Sequence, residues 1–173
     1  MDRVEMLFTA EEVEERVDGL AAEIREAYGD EIPTVIAVLK GSFMFTADLV
    51  RRLPGTFSVD FIRASSYGDG TETSCHVSVS LWPTVKVTGR RVLLVDDIAD
   101  SGLTLKCLVE RLEKEGASQV DVCVLLDKPG RRKVEFTPRF VGFTVPNLFV
   151  VGYGIDYAEK YRNLPYIGVL KEE

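Results

Sequence analysis

Three short apolar runs, at residues 35–39, 92–95 and 120–126, the last interrupted only by Asp121, constrain the fold of this chain more than any other feature. A run this short, with no polar residue at alternate positions, suits a strand buried on both faces. Such strands belong to parallel sheets with helices on either side. The intervening sequence agrees. Val13, Val17, Leu20, Ile24 and Tyr28 recur at helical spacing with acids and arginines between them. Thr9 followed by Glu12 reads as a capping box, and Gly29 as the stop. Residues 43–53 and 103–114 read as further helices, closed by Pro54-Gly55 and by Gly116. Residues 58–62, 76–81 and 148–151 read as additional strands, and the polar, glycine-bearing stretch 65–74 as a mobile loop. This alternation predicts an α/β fold, a parallel-sheet core flanked by helices, with residues 1–173 forming a single domain.

In such sheets ligands bind beyond the carboxyl ends of the strands. Lys40 ends the first run, Asp96-Asp97 the second and Lys128 the third, while Asp156 follows the run at 148–151. Four strand ends therefore bring charged residues to one edge. The most informative stretch is VLLVDDIADSGLTL, residues 92–105. A buried strand, 92–95, delivers two adjacent carboxylates at the head of a loop, 96–102, and a helix follows. In the loop, Gly102 permits close backbone approach and Ser101 and Thr104 offer hydroxyl donors. The helix N-terminus adds unpaired N–H groups and a partial positive charge, a ready site for phosphate. Asp96 and Asp97 can accept from neighbouring hydroxyls, as on a ribose, or act through a metal ion. The plainer alternative makes Asp100 or Ser101 a simple helix cap. Three acids and a hydroxyl-Gly-x-hydroxyl loop within nine residues favour a phosphorylated sugar instead.

Several function classes are disfavoured. The formal net charge of -7 opposes broad nucleic-acid binding, which needs a basic surface. His76 is the only histidine, so a catalytic triad or polyhistidine zinc site is not available. Cys75, Cys107 and Cys123 are odd in number and form no CxxC, which argues against a disulfide framework or zinc site. No apolar stretch is long enough to span a bilayer, and residues 1–15 are acidic without a signal-peptide pattern. The expectation is a cytoplasmic protein that engages neither membrane nor nucleic acid.

Residues 92–105 resemble the phosphoribosyl-pyrophosphate signature of the type I phosphoribosyltransferases. VLKGSFMFTADL resembles the pyrophosphate-loop segment of their purine (hypoxanthine-guanine) branch, and VDFIRASSYG its flexible-loop segment. RFVGFTVPNLFVVGYGIDYAEKYRNLPYIGVL resembles its purine-binding C-terminal part. The resemblance runs from about residue 35 to residue 170, with the segments in the family's order.

It implies a parallel-sheet core with a small hood lobe, and transfer of a phosphoribosyl group from phosphoribosyl pyrophosphate to a 6-oxopurine with Mg²⁺ as cofactor. Asp100 matches the catalytic acid-base. Asp96 and Asp97, where the family often has Glu-Asp, match the pair that holds ribose hydroxyls and metal. Ser101, Gly102, Leu103 and Thr104 match the 5'-phosphate loop. Lys40, Gly41 and Arg162 match the pyrophosphate contacts, at a place where the family often has a non-proline cis peptide. Phe149 would stack on the purine and Val150 would offer backbone groups to its edge. Lys128, a pure donor, suits the purine C6 carbonyl and disfavours adenine. Asp156 matches a metal ligand near purine C2. Ser66 and Tyr67 match the tip of a closing lid. The family also implies a homodimer or homotetramer.

The run Arg131-Arg132-Lys133 reads as a solvated or interface patch outside this site. The main competing reading is a pyrimidine-operon RNA-binding regulator with uracil phosphoribosyltransferase activity. It shares the signature but needs a basic RNA face. A signalling receiver would carry its acid pair at the first strand. A dinucleotide-binding enzyme would need a third glycine where this chain has Tyr157.

Overall fold

The computed structural model describes residues 3–66 and 77–171. In chain order the strands are β1 (Arg3–Phe8), β2 (Thr34–Leu39), β3 (Val59–Ser66), β4 (Val77–Leu81), β5 (Arg91–Ala99), β6 (Gln119–Asp127), β7 (Phe140–Thr144), β8 (Val150–Val151) and β9 (Ile167–Lys171). The helices are α1 (Ala10–Tyr28), α2 (Phe43–Val50) and α3 (Leu103–Lys114). One six-stranded sheet has the order β4-β3-β2-β5-β6-β7. Its strands are parallel except β4, which returns antiparallel along β3.

The apolar runs show no alternation because both faces of their strands are covered. Val35, Leu93, Val95, Cys123 and Leu125 pack in one cluster with Val17, Leu20 and Ile24 of α1 and with Phe45 and Leu49 of α2. The alternate residues Ile36, Val38, Leu94, Val122 and Val124 pack against Leu105, Leu108 and Leu112 of α3. Thr9 and Glu12 form the expected capping box at the start of α1. The guanidinium of Arg16 donates to the carbonyls of Gly142 (2.6 Å) and Val141 (2.8 Å). It thereby occupies part of the unpaired rim that β7 presents as an edge strand.

A second sheet, of order β1-β9-β8, is antiparallel and forms the hood. The run at 148–151 belongs here rather than to the parallel sheet, and only Val150 and Val151 are extended. Hydrophobic pattern reports burial but not which sheet a strand joins. Val145, Val150, Ile155 and Ile167 share the α1 core cluster, so hood and sheet are packed together.

Other boundaries shift for physical reasons. α2 stops at Val50, with residues 51–53 in a turn. β5 continues through Asp96-Asp97 to Ala99, where the sequence suggests a loop. Asp96, Ile98 and Ala99 pair there with Val124, Leu126 and Asp127 of β6. Cys123 is free and buried. Cys107 on α3 is disulfide-bonded, which the odd cysteine count did not anticipate. Tyr67, Cys75 and His76 also lie outside them. Among the described residues no helix is long and apolar enough to cross a membrane.

Candidate active site

β3, β2 and β5 lie side by side, and their ends border a cleft of about 370 Å³ lined by residues that include Gly41, Asp96, Asp97, Asp100, Ser101 and Thr104. A second cleft, of about 510 Å³, shares Gly41 and Asp97 with the first and adds Lys40, Asp156, Glu159 and Arg162. The two form one trough, with Asp97 at the join. Asp96 is buried. Desolvation, and then the adjacent Asp97 charge, hold its carboxyl well above the ordinary carboxylate range. Asp97 is raised too, chiefly by desolvation, with Arg162 opposing the shift. Two acids kept this close and partly dehydrated make a site that a cation would relieve. Among the described residues no cluster of three or more His, Cys, Asp or Glu is placed to hold a metal. A sparse carboxylate set suits Mg²⁺, which retains waters and draws further ligands from substrate oxygens. The residues present fit such an ion.

The loop after β5 enters α3 at Gly102, whose φ of +82° is left-handed. No side chain caps this helix; the Ser101 hydroxyl makes only a 3.3 Å contact with the Leu103 N–H. Asp100 thus does not cap the helix, and Ser101 engages only the Leu103 N–H. The first turn of α3 presents N–H groups beside the hydroxyls of Ser101 and Thr104, the arrangement that favours a phosphate.

The other end of the trough joins core to hood. The Leu39-Lys40 peptide is cis, in the segment where the family resemblance implies a non-proline cis bond. A Cβ on Gly41 would fall 1.8 Å from an Asp97 carboxylate oxygen, and one on Gly154 would fall 2.5 Å from the Gly41 carbonyl oxygen. At 154 the backbone contact and the positive φ leave room only for glycine, whereas a Cβ at 41 would require the Asp97 side chain to move. The Arg162 guanidinium donates to the Gly154 carbonyl at 2.8 Å and pairs with Asp156 at 3.0 Å. Its Nε is buried without a partner. Glu159 pairs with Lys40 at 2.7 Å and with Arg162 at 3.3 Å, and the Lys40 ammonium above all holds the Glu159 carboxyl below its usual range. Sequence gave no signal for Glu159, because its partners are brought to it by the fold.

Lys128 directly follows β6 and is buried, and its ammonium donates to the Leu148 carbonyl at 2.7 Å. Burial lowers its pKa, while Asp100 and Asp97 push it back up, so all three groups share one electrostatic environment. Phe149 is 53% exposed, with its ring edge-on to Tyr157 at 5.3 Å. Packing in the core, which periodicity alone favours for Phe149, is thereby excluded. Val150 is buried in β8 and paired with Val169. Of the lid pair, Ser66 ends β3.

Comparison with known proteins now bears on this geometry. The model of the phosphoribosyl transferase domain family matches residues 3–158. The chain belongs to the phosphoribosyltransferase family. It is 46% identical to a hypoxanthine-guanine phosphoribosyltransferase of Bacillus subtilis, over 98% of this chain and 94% of that protein. A Streptococcus pneumoniae protein of the same name is 43% identical over 99% and 96%. A crystal structure of a hypoxanthine-guanine phosphoribosyltransferase from Bacillus anthracis superposes with a TM-score of 0.91 at 48% identity, covering 95% of this chain and 97% of that one.

This phosphoribosyltransferase departs from the sequence reading at the basic run. Arg131 is exposed, as that reading has it, but it also reaches the site: its Nε donates to the Asp100 carboxylate at 2.9 Å. Arg132 is bonded to the backbone of the Asp100 loop and to Asp127. Nothing in the spacing of residues 131–133 could announce the contacts with the Asp100 loop, which lies about thirty positions away in the chain.

Proposed function

We propose that this phosphoribosyltransferase is a purine salvage enzyme. It transfers the 5-phosphoribosyl group of phosphoribosyl pyrophosphate to hypoxanthine or guanine, and possible acceptors extend to xanthine; the products are the nucleoside monophosphate and pyrophosphate. The observation that carries the reading is one trough with an uncapped helix N-terminus at one end, a buried acid pair in its middle and the Lys40-Arg162 cation pair at the other. A 5'-phosphate, a ribose and a pyrophosphate need those groups in that order. The similar proteins named above are purine enzymes, which favours this reading over the RNA-binding regulator of the pyrimidine operon.

In the reaction the C1–pyrophosphate bond breaks as a purine nitrogen forms the new bond to C1, through an oxocarbenium-like transition state. Ser101, Thr104 and the N–H groups of the 100–104 loop hold the 5'-phosphate. Lys40, the Gly41 backbone and Arg162 receive the departing pyrophosphate. Asp100 takes the proton released at purine N7 and stabilises the positive charge that builds on the base. Lys128 donates to the carbonyl at C6, where adenine would present a second donor. Phe149 stacks on the ring and Val150 lines its edge. Asp96, Asp97 and Asp156 would hold Mg²⁺, which would neutralise charge on the leaving pyrophosphate. Ser66 and Tyr67 belong to the lid of this reading.

We also read the enzyme as a dimer or tetramer. Val59, Phe61 and Leu81 lie exposed on the β3–β4 edge of the sheet, which supports that reading. Light scattering on a sizing column tests it.

An ultraviolet assay of nucleotide formation tests the activity, with phosphoribosyl pyrophosphate, Mg²⁺ and hypoxanthine, guanine, xanthine, adenine or uracil in turn. Turnover of 6-oxopurines is expected, abolished without Mg²⁺ and reduced about 10² to 10⁴-fold in Asp100→Asn. Turnover of uracil alone would move the assignment to the regulator.

A further inference from the structure

The residues that are to read the purine, on the segment after β6, and those that are to hold the acid and the phosphate, on the loop after β5, belong to different strands. Arg132 joins them. Its Nη1 donates to the Ala99 carbonyl at 2.9 Å and to the Asp100 carbonyl at 2.7 Å, and its Nε to the Phe136 carbonyl at 3.0 Å. Its Nη2 pairs with the carboxylate of Asp127, the residue directly before Lys128. The side chains of this pair are only 15% and 12% exposed. Backbone bonds run alongside: the Lys128 N–H donates to Ala99 and the Lys133 N–H to Ser101, each at 2.9 Å. Gly102 packs directly on the Arg132 side chain, where an added Cβ would lie 3.2 Å from its Cδ.

We infer that Arg132 is a positioning residue for the transfer reaction: its guanidinium fixes the distance and angle between Asp100 and Lys128. The inference rests on the roles proposed above for those two residues. The purine carbonyl at C6 and the nitrogen N7 are neighbours on one edge of the base, so the two protein groups that meet them must keep a fixed separation. Lys128 is set by β6 and Asp100 by the end of β5. The two strand ends carry one residue each of a single hydrogen-bonded fork. The planar five-donor shape is what the position demands. A lysine there would keep the charge beside Asp127 but could not reach four acceptors on three sides. It would leave the Asp100 carbonyl without this partner and free the acid loop to shift. Reacting groups misplaced by about 1 Å cost on the order of a hundredfold in rate. Arg131, whose guanidinium meets the Asp100 carboxylate itself, is exposed and lies on the solvent side of this arrangement.

The test compares wild type, Arg132→Lys and Asp127→Asn as full-length proteins. It measures kcat and KM for hypoxanthine and for phosphoribosyl pyrophosphate, the active fraction by tight-binding titration, and Tm. The expected result for Arg132→Lys is a fall in kcat per active site of about 10 to 100-fold, with both KM values within about threefold of wild type. Asp127→Asn, which leaves the backbone bonds of Arg132 in place, should lose less, in the same direction. A merely structural role would lower Tm or the active fraction and leave kcat per active site intact, and that result overturns the inference. If Arg132→Lys does not fold, the kcat of Asp127→Asn decides alone, and an unchanged value overturns the inference. A wild-type protein inert toward every 6-oxopurine would overturn the proposed function and this inference with it. An active wild type with an unimpaired Arg132→Lys overturns the inference only.

Discussion

At the residue scale, the site concentrates charges that the fold holds at a cost. Asp96 is raised by burial and by Asp97. A carboxyl raised on folding adds stability only below its ordinary value of 3.8, and loses it as pH climbs through the higher folded value. Above that ordinary value, the cost of ionising Asp96 within the fold opposes folding. Asp96→Asn should therefore raise the Tm of the ligand-free protein at pH 8, with the gain shrinking toward pH 4, in calorimetry across that range. A gain independent of pH would show that the carboxylate charge is not the cause. Lys128 presents the same conflict with the opposite sign. Burial lowers its pKa, so the charged ammonium is disfavoured in the folded state at every pH below that folded value. Lys128→Met should leave Tm at pH 7 no lower than wild type despite losing the bond to Leu148. Its kcat/KM for hypoxanthine should drop about a hundredfold. A lower Tm with intact turnover would make Lys128 a structural residue.

At the element scale, α1 and α3 begin in opposite ways. α1 carries a full capping box from Thr9 and Glu12, whereas α3 starts at an uncapped left-handed glycine. The capped helix is scaffold. Thr9→Ala should cost about 1 kcal/mol, or roughly 2–4 °C in Tm, and leave kcat unchanged. The same kinetic assay serves as readout, and a change in kcat would place α1 closer to the chemistry than its position allows. The uncapped helix keeps its donors for a ligand. Both helices were legible in sequence, α1 from its Thr-x-x-Glu spacing and α3 from the hydroxyl-Gly-x-hydroxyl loop. The end of β5 was not. Asp96 and Asp97 read as loop because charged residues rarely sit in central strands; pairing of Asp96 with Val124 and of Ile98 with Leu126 of β6 carries the strand past them.

At the scale of the whole molecule, the trough exists because the hood meets the core. Gly154 of the hood lies against the Gly41 carbonyl, with no room for a Cβ and with a φ of +96°. Gly154→Ala should push the two apart and raise KM for phosphoribosyl pyrophosphate by on the order of tenfold. Steady-state kinetics at varied phosphoribosyl pyrophosphate measures this, and an unchanged KM would mean that the hood contact does not shape the pyrophosphate end. The sequence by itself determined the parallel core, α1, α3 and the types of residue at the strand ends. Each of these follows from local physics: apolar periodicity, capping spacing and turn chemistry act within a few residues. The tertiary structure alone decided that residues 148–151 join a separate antiparallel hood, that Phe149 is exposed, that Glu159 meets Lys40, and that Arg131 and Arg132 grip the Asp100 loop. Those contacts join residues far apart in the chain, and charge or polarity at a position says nothing of its distant partner until the sheet order has brought the two together.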